Sequence, residues 1–213
     1  MTLRTQGHLF DGFRNPDRTI EGPGLQLHYW PDFVGNEQAD RWFARLHAEV
    51  DWTQDEIRMY GRDVLVPRLS AWYGDEGADY AYSGIPLVLR PWTPLLEAIR
   101  DAVQAQCGHA FNSVLLNLYR DGRDSVAWHA DDEPELGRHP LIASLSLGQV
   151  RTFQLKHRSD RDLERIDLDL EHGSLLLMAG ETQAHWVHAI PKRKKPLEPR
   201  INLTFRRVIP RDS

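Results

Sequence analysis

Apolar residues recur at the spacing of an α-helix in two stretches of the chain, residues 36–50 and 94–107. In the first stretch the apolar positions are Ala39, Trp42, Phe43, Leu46 and Val50. In the second they are Leu95, Leu96, Ile99 and Val103. Gly108 follows the second stretch, and a glycine commonly ends a helix in this way. The sequence therefore predicts two amphipathic helices, with Gly108 as the C-cap of the second.

Short β-prone runs, separated by turn-forming residues, follow the second helix. They cover residues 111–119, 141–147, 152–155, 166–170, 174–178, 184–190 and 200–208. Seven strands at this spacing favour a jelly-roll sandwich over a parallel α/β sheet. We therefore predict an α+β, mainly β protein, a double-stranded β-helix (jelly roll) with flanking helices.

The same pattern divides the chain into three regions of one structural domain. Residues 1–35 mix Gly, Pro, Asp and Arg without sustained periodicity and predict an irregular N-terminal arm. Residues 36–110 hold the helices, and residues 111–213 hold the jelly-roll core. Hydrophobic residues make up 41% of the chain and charged residues 27%, which is typical of a globular protein.

Several functional classes are disfavoured by what the sequence lacks. No apolar run approaches the roughly 18 residues that span a bilayer, and residues 1–11 have no secretory h-region. We therefore expect an intracellular protein, cytoplasmic or nuclear, with no membrane partner, and we expect a monomer. The one cysteine, Cys107, excludes an internal disulfide and a Cys-rich zinc site. A metal would have to be held by histidines and carboxylates.

The charge is unevenly distributed along the chain. The net charge is −5, but residues 1–150 carry 13 basic against 22 acidic residues, and residues 151–213 carry 13 against 9. The two parts therefore differ in sign, at −9 and +4. The basic C-terminal third could supply phosphate contacts. Solvated faces of unequal composition explain the charge equally well.

His129, Asp131 and a distant His188 form a candidate metal-ligand set. Two histidines and one carboxylate make the facial triad that leaves positions open on a non-haem ferrous ion. His47-Ala48-Glu49 has the same short spacing, but it lies on a predicted helix, where residues two apart do not share a face. His129 and Asp131 lie in extended chain or at a strand edge, where residues two apart point the same way.

Alternating polar residues mark two of the predicted strands. In the last strand Ile201, Leu203 and Phe205 share one face. The other face carries Arg200, Asn202, Thr204 and Arg206. Asn117 and Tyr119 likewise share a face of the first strand. Such faces are usual on a half-solvated sheet, but a dicarboxylate such as 2-oxoglutarate needs a fixed guanidinium with hydroxyl and amide groups beside it.

Several motifs, in order and at family-like spacing, closely resemble the AlkB homologues, most of all their DNA-repair branch. They are FNSVLLNLYRDG (111–122), WHADDE (128–133), GSLLLM (173–178), HWVHAIP (185–191) and PRINLTFR (199–206). Shorter matches upstream are VPR (66–68), YGD (73–75) and YAYSG (80–84). The resemblance covers roughly residues 55–208.

The resemblance implies an Fe(II)- and 2-oxoglutarate-dependent dioxygenase. Members use O2 to remove N-alkyl groups from nucleobases, of the 1-methyladenine and 3-methylcytosine type, in DNA or RNA, releasing formaldehyde, succinate and CO2. The implied iron ligands are His129, Asp131 and His188. The implied 2-oxoglutarate contacts are Asn117, Tyr119, Arg200, Thr204 and Arg206, with Arg206 on the distal carboxylate. His185, three residues before His188, is expected to face away from the metal and to be structural.

Substrate contacts are implied by position in the family. Tyr60 and Gly61 fall on a finger-like hairpin, Tyr80 and Tyr82 on an N-terminal nucleotide-recognition lid, and Asp132 beside the metal-binding acid. Packing within the lid would also account for the tyrosines. Arg68 and Arg151 are weaker candidates for contacts with the nucleic-acid phosphates. The basic run 192–195 could bind phosphates or be a solvated loop.

Two alternative functions remain open. The first is an oxygenase of the same fold that acts on a protein, a lipid or a small molecule. The second is a non-catalytic nucleic-acid binding module, whose expected signature, a broken metal triad, is missing here. The sequence does not decide between DNA and RNA or between single and double strands.

Overall fold

The computed structural model describes residues 14–59, 62–78, 88–195 and 197–209. The helices in this part are α1 (Asn36–Glu49), α2 (Pro94–Cys107) and α3 (Thr182–His185), with a 3-10 helix at Pro134–Leu136. The first six strands are β1 (Arg18–Gly22), β2 (Leu25–Trp30), β3 (Glu56–Met59), β4 (Arg62–Leu65), β5 (Leu69–Gly74) and β6 (Leu89–Arg90). The next four are β7 (Ser113–Tyr119), β8 (Val126–His129), β9 (Ile142–Gly148) and β10 (Arg151–His157). The last four are β11 (Ile166–Leu170), β12 (Ser174–Ala179), β13 (Trp186–Ile190) and β14 (Arg200–Arg206).

The strands form two large sheets and one hairpin. The major sheet has eight strands in the order β1-β2-β12-β9-β14-β7-β5-β6, and the minor sheet has four in the order β11-β10-β13-β8. Pairing is antiparallel throughout these sheets except between β5 and β6. Strands β3 and β4 form the separate hairpin. The predicted mainly β, jelly-roll fold is confirmed.

Two apolar clusters hold the layers together. In the first, α1 and α2 cover the outer face of the major sheet, and Trp42 and Ile99 share a cluster with Leu116 of β7 and Leu203 of β14. The second cluster includes buried residues of both sheets, for example Tyr29 of β2 and Phe153 of β10. The helices therefore cover one face of the major sheet, and its other face packs against the minor sheet.

The predicted helices are confirmed closely. The α2 helix begins at Pro94, after Thr93 accepts a hydrogen bond from the Leu96 amide at 3.2 Å. It ends at Cys107, where Gly108 adopts a left-handed conformation with φ 61°. A proline at the first helical position and a glycine after the last are the residues that this geometry favours.

The polar face of β14 lies inside the protein. Ile201, Leu203 and Phe205 pack in the helix-side cluster, as their alternation predicts. The alternate residues are also buried: Arg200 and Arg206 are only 2% and 3% exposed. A half-solvated sheet is therefore excluded for this strand.

Two expectations about regular structure are wrong. Residues 18–30 are not irregular, because they form β1 and β2 at the edge of the major sheet. The run 184–190 is not one strand, because Ala184 and His185 end α3 and β13 begins at Trp186. Within the described residues, none of the helices has the length and apolar character needed to cross a membrane.

Candidate metal and cosubstrate site

The three predicted metal ligands meet on the inner side of the minor sheet. His129 of β8 and His188 of β13 are directly paired, and Asp131 follows β8. One donor atom from each residue lies within 4.8 Å of the other two. Ligand bonds of about 2 Å bring donors about 3 Å apart, so a small contraction onto an ion completes the set. His188 and Asp131 are buried, and His129 is partly exposed.

A β-bulge in β8 turns the side chains of this strand toward the site. The pair His188 and His129 is followed by the pair Ile190 and Val126, so β8 contains one more residue than β13 between these pairs. Val126 and His129 therefore both line the inner cavity although they are three residues apart. Bulges of this kind redirect side chains next to active sites.

The ring of His129 is oriented by its own strand. Its Nδ1 lies 2.9 Å from the carbonyl oxygen of Ala127. An N–H at Nδ1 donates to that oxygen, which leaves Nε2 with a free lone pair for a metal.

The protonation states of the triad suit a metal ion. Burial and the neighbouring His129 lower the pKa of His188 to about 3. Burial also lowers the pKa of His129. For Asp131, burial acts to raise the pKa, but the charge of Arg206, joined in acid by the protonated histidines, outweighs it and lowers the pKa to about 2. At neutral pH the site therefore presents two neutral imidazoles and a carboxylate, the forms that bind metal.

Asp131 is fixed through both its side chain and its backbone. Arg206 Nη2 donates to its Oδ1 at 2.8 Å. The Asp131 amide donates to the side-chain oxygen of Gln183 at 2.9 Å. Gln183 lies on the single turn α3 and is buried. The predicted cosubstrate residue Arg206 therefore lies at the metal end of the cavity.

A small cavity of about 40 Å³ runs between the sheets from the triad. All five predicted 2-oxoglutarate residues line it: Asn117, Tyr119, Arg200, Thr204 and Arg206. Arg200 donates from Nη2 to Ser146 at 2.9 Å, and its guanidinium lies 5.2 Å from the centroid of the Tyr119 ring. Its Nε and Nη1 have no hydrogen-bond partner among the described residues.

Arg200 remains charged in this setting. Burial lowers its pKa to about 10, which is still well above neutrality. A buried cation with unused donors is costly unless an anion pairs with it. The residues present therefore fit a carboxylate ligand at Arg200 and a divalent ion at the triad.

Of the two weaker arginine candidates, Arg68 lines the cavity and Arg151 is buried outside the cavity lining. Arg68 donates to the Asn117 side chain at 2.7 Å and lines the cavity. Arg151 is buried, donates to the carbonyl oxygens of Asp124 and Pro191, and lies over the Tyr119 ring. Arg151 is therefore unsuited to a phosphate contact, because it is buried and both of its Nη atoms already donate to backbone oxygens.

The structure describes only some of the predicted substrate residues. Tyr60, Gly61, Tyr80 and Tyr82 lie outside the described residues. Asp132 is exposed and pairs with Arg158 at 2.6 Å. The run 192–195 lies near the loop 121–123, and its Arg193, Lys194 and Lys195 line a shallow groove with Arg123.

His185 is away from the triad, as expected. Its ring stacks on His157 with centroids 5.9 Å apart, and its Nε2 is 3.6 Å from Glu181. A Cβ at Gly24 would approach His185 to 2.6 Å, so a glycine is required for this close contact. His185 therefore packs the end of α3 against the turn between β1 and β2.

Sequence reasoning missed four polar residues around the site. Ser144 and Ser146 of β9 face the cavity side, and their alternation with Ala143, Leu145 and Leu147 was a usable signal. Gln183 had no local signal. Glu133 is half-buried, and its Oε2 has no hydrogen-bond partner in the described part of the chain. Burial and the nearby Asp131 raise the pKa of Glu133.

Comparison with known proteins agrees with this geometry. The family described as the 2OG-Fe(II) oxygenase superfamily matches residues 26–206. The chain is 43% identical to human alpha-ketoglutarate-dependent dioxygenase alkB homolog 3, over 85% of this chain and 65% of that relative. It is 41% identical to mouse DNA oxidative demethylase ALKBH2, over 92% of this chain and 86% of that relative. The solved structure of OsALKBH1 superposes with a TM-score of 0.57 at 18% identity, covering 88% of this chain and 98% of that one.

The fold and the His-Asp-His site are those of the jelly-roll class of 2OG-Fe(II) oxygenases. The chain belongs to the 2OG-Fe(II) oxygenase superfamily and, within it, to the AlkB family. It spans about 65% of the length of the alkB homolog 3 protein. Members of the superfamily use iron(II), 2-oxoglutarate and O2, and the triad and the two buried guanidinium groups fit the first two.

Proposed function

We propose that this protein oxidatively removes alkyl groups from N-alkylated nucleobases, of the 1-methyladenine and 3-methylcytosine type, in DNA or RNA. The observation that carries the proposal is the buried His129-Asp131-His188 set at one end of a cavity that also holds Arg200. Two relatives support the substrate class, since one is called a DNA oxidative demethylase and the other an alkB homologue.

The protein would hold iron(II) through His129, Asp131 and His188. With 2-oxoglutarate and O2, bound iron supplies the oxidant that inserts oxygen into a C–H bond of the N-alkyl group, and the product then releases formaldehyde. The residues around it keep the ligands in their metal-binding forms. Arg206 keeps Asp131 ionised, and the Ala127 carbonyl keeps the Nε2 of His129 unprotonated.

The cosubstrate would lie between the two arginines of β14. Because Arg206 is hydrogen-bonded to Asp131, its charge acts at the metal end. Arg200 lies at the other end with unused donors, and Ser146 and Tyr119 are beside it. We therefore assign the distal carboxylate of 2-oxoglutarate to Arg200 and not to Arg206.

Selectivity for the damaged base would come from its charge. Alkylation at a ring nitrogen that normally pairs makes adenine or cytosine cationic, and a nearby carboxylate then favours it over the neutral base. Asp132 and the half-buried Glu133 follow the metal ligand Asp131 directly. The predicted tyrosines Tyr60, Tyr80 and Tyr82 would supply stacking surfaces.

The test is product release from oligonucleotides that carry one 1-methyladenine. Single-stranded and double-stranded DNA and single-stranded RNA are incubated with iron(II), 2-oxoglutarate and ascorbate, and formaldehyde, succinate and repaired base are measured. We expect repair that needs both cofactors. His188→Ala should abolish it, whereas the matched control His185→Gln, which changes a neighbouring histidine away from the triad, should retain it.

The products separate the alternatives. Succinate without base repair would indicate an oxygenase that acts on a protein, a lipid or a small molecule. If protein shown to contain iron forms neither succinate nor repaired base, catalysis is rejected and the nucleic-acid binding module remains.

A further inference from the structure

The outer surface of the minor sheet carries an exposed tryptophan beside the metal site. All seven tryptophans lie in the described residues, and Trp128 is the one that is exposed, at 38% of its surface. It directly precedes the metal ligand His129 on β8. Because β8 is the edge strand of the minor sheet, a single strand separates the indole on the outer face from the metal site on the inner face.

The bulge in β8 accounts for the exposure of Trp128. Because Val126 and His129 both face the cavity, the intervening Ala127 and Trp128 are left exposed. Strand β8 is also at the edge of the minor sheet, so among the described residues it has a neighbouring strand on one side alone. Exposing a large aromatic surface without a partner is unfavourable, and such residues often mark binding sites.

A lysine accompanies the tryptophan on the same face. On β10, Phe153 and Leu155 are buried in the cluster between the sheets, which turns the exposed Lys156 outward. The Lys156 Nζ lies 4.4 Å from the centroid of the Trp128 ring. An ammonium group over an indole is a weak cation–π pair at an exposed site, and it can be exchanged for a phosphate contact.

Charges on this face favour one path for an anionic chain. Asp167 and Asp169 are paired with β10 from the β11 side, and their carboxylates repel phosphates there. Arg193 lies beside these carboxylates, because it donates at 2.7 Å to the Thr152 hydroxyl that itself donates to Asp169. A nucleic-acid strand that leaves the cavity would therefore keep to the β8 side of this face, over Trp128 and Lys156 and away from the β11 carboxylates.

We propose that Trp128 and Lys156 form a second nucleotide site, for an unpaired nucleotide adjacent to the alkylated base. The base stacks on the indole and the Lys156 ammonium contacts its phosphate. This inference rests on the proposed nucleic-acid function. Stacking needs an open base face, which a single strand provides and a duplex does not, so this site would favour single strands.

The first test is binding of an unmodified, fluorescently labelled oligothymidylate, followed by anisotropy with Mn(II)-loaded protein so that no turnover occurs. Trp128→Ala should weaken binding about tenfold, and Trp128→Phe, which keeps a ring, should stay within about twofold. Lys156→Gln should lower the salt dependence by about one phosphate contact. Val150→Ala removes another exposed apolar side chain, 40% exposed, and should bind like the unaltered protein.

A structural explanation is checked separately. Because Trp128 neighbours a metal ligand, the Mn(II) affinity and thermal unfolding of each variant are measured, and both should be unchanged. Equal oligothymidylate affinity for Trp128→Ala and unaltered protein would overturn the inference. So would an equal loss in Trp128→Phe, because the stacking ring would then not be responsible.

Turnover distinguishes this inference from the proposed function. On single-stranded 1-methyladenine substrates, Trp128→Ala should raise KM for a 12-mer and leave kcat unchanged, with no effect on a substrate that lacks neighbouring nucleotides. If unaltered protein repairs both substrates and Trp128→Ala does the same with equal KM, the second site is rejected and the demethylase remains. If unaltered protein repairs neither, the demethylase proposal fails, and the oligothymidylate data alone decide the second site.

Discussion

Asp131 is held by more contacts than any sequence motif indicates. Its carboxylate accepts from Arg206, and its amide donates to Gln183 from α3. Arg158 links the same segment to α3, because its Nη2 donates to both the Asp132 carboxylate and the Gln183 carbonyl oxygen. The segment that follows β8 is thus fastened to α3, which itself leads into β13 and His188.

Removing the side-chain contact to the Asp131 amide should weaken metal binding. Gln183→Met keeps the size of the side chain but cannot accept the hydrogen bond, and we expect Mn(II) affinity to fall about tenfold. Titration calorimetry measures it, with Gln154→Met, a glutamine of β10 away from the triad, as the matched control. Unchanged Mn(II) affinity in Gln183→Met would show that Arg206 alone positions Asp131.

Substitutions of the two arginines of β14 should affect different ligands, one the cosubstrate and the other the metal ion. Arg200→Gln should raise the KM for 2-oxoglutarate at least about tenfold, because it removes the buried cation that binds the distal carboxylate, and it should leave Mn(II) affinity unchanged. Arg206→Gln should weaken Mn(II) binding, because Asp131 loses its charged partner. Steady-state kinetics and titration calorimetry measure these effects. The reverse pattern would return the distal carboxylate to Arg206.

At the scale of elements, α2 is specified almost completely by local sequence. Thr93, Pro94 and Gly108 mark its ends, and its apolar positions meet the major sheet. Strand β8 is the opposite case. It has four residues, a bulge and an edge position, and none of these can be read from the run VAWH.

The cap of α2 should contribute to stability and not to function. Thr93→Ala loses the hydrogen bond to the Leu96 amide, and we expect the free energy of unfolding to fall by about 1 kcal/mol. Urea denaturation measures this change, and Thr19→Ala, at an exposed position of β1, should change it by less than about 0.5 kcal/mol. Demethylation by Thr93→Ala should be normal at 25 °C. A large loss of activity would mean that α2 communicates with the site.

At the scale of the whole molecule, the buried triad makes stability depend on pH. His188 has its pKa lowered to about 3 in the folded protein, so the unfolded chain binds its proton first as pH falls below about 6.5. Stability in this window therefore falls as pH falls. Asp131, with a pKa of about 2, contributes only below its unfolded value of about 3.9.

The metal-free protein should lose about 2 kcal/mol of stability between pH 7 and pH 5 through His188. Chemical denaturation at several pH values measures this slope. His188→Gln, which cannot gain the proton, should flatten it, and saturating Mn(II) at pH 7 should raise the midpoint of the unaltered protein only. An unchanged slope in His188→Gln would place the titration on other groups.

Much of the site was predictable because its signals are local or strictly periodic. The alternation of Arg200 to Arg206 indicated one shared face, and the His-x-Asp spacing indicated two ligands in extended chain. Alternation alone could not say whether the polar face of β14 meets water or the interior. The covering minor sheet decides that, because it buries Arg200 and Arg206.

The sequence by itself determined the helices and most of the strands, since these depend on residue type and short spacing, and with the family resemblance it predicted the metal ligands and the cosubstrate residues that the structure brings together. The tertiary structure decided which arginine lies beside the metal, the role of Gln183, the pairing of Asp132 with Arg158, and the outward position of Trp128. Each of these follows from contacts between residues far apart in the chain or from one bulge in an edge strand. Such contacts form only when the sheets pack, and no local pattern records them.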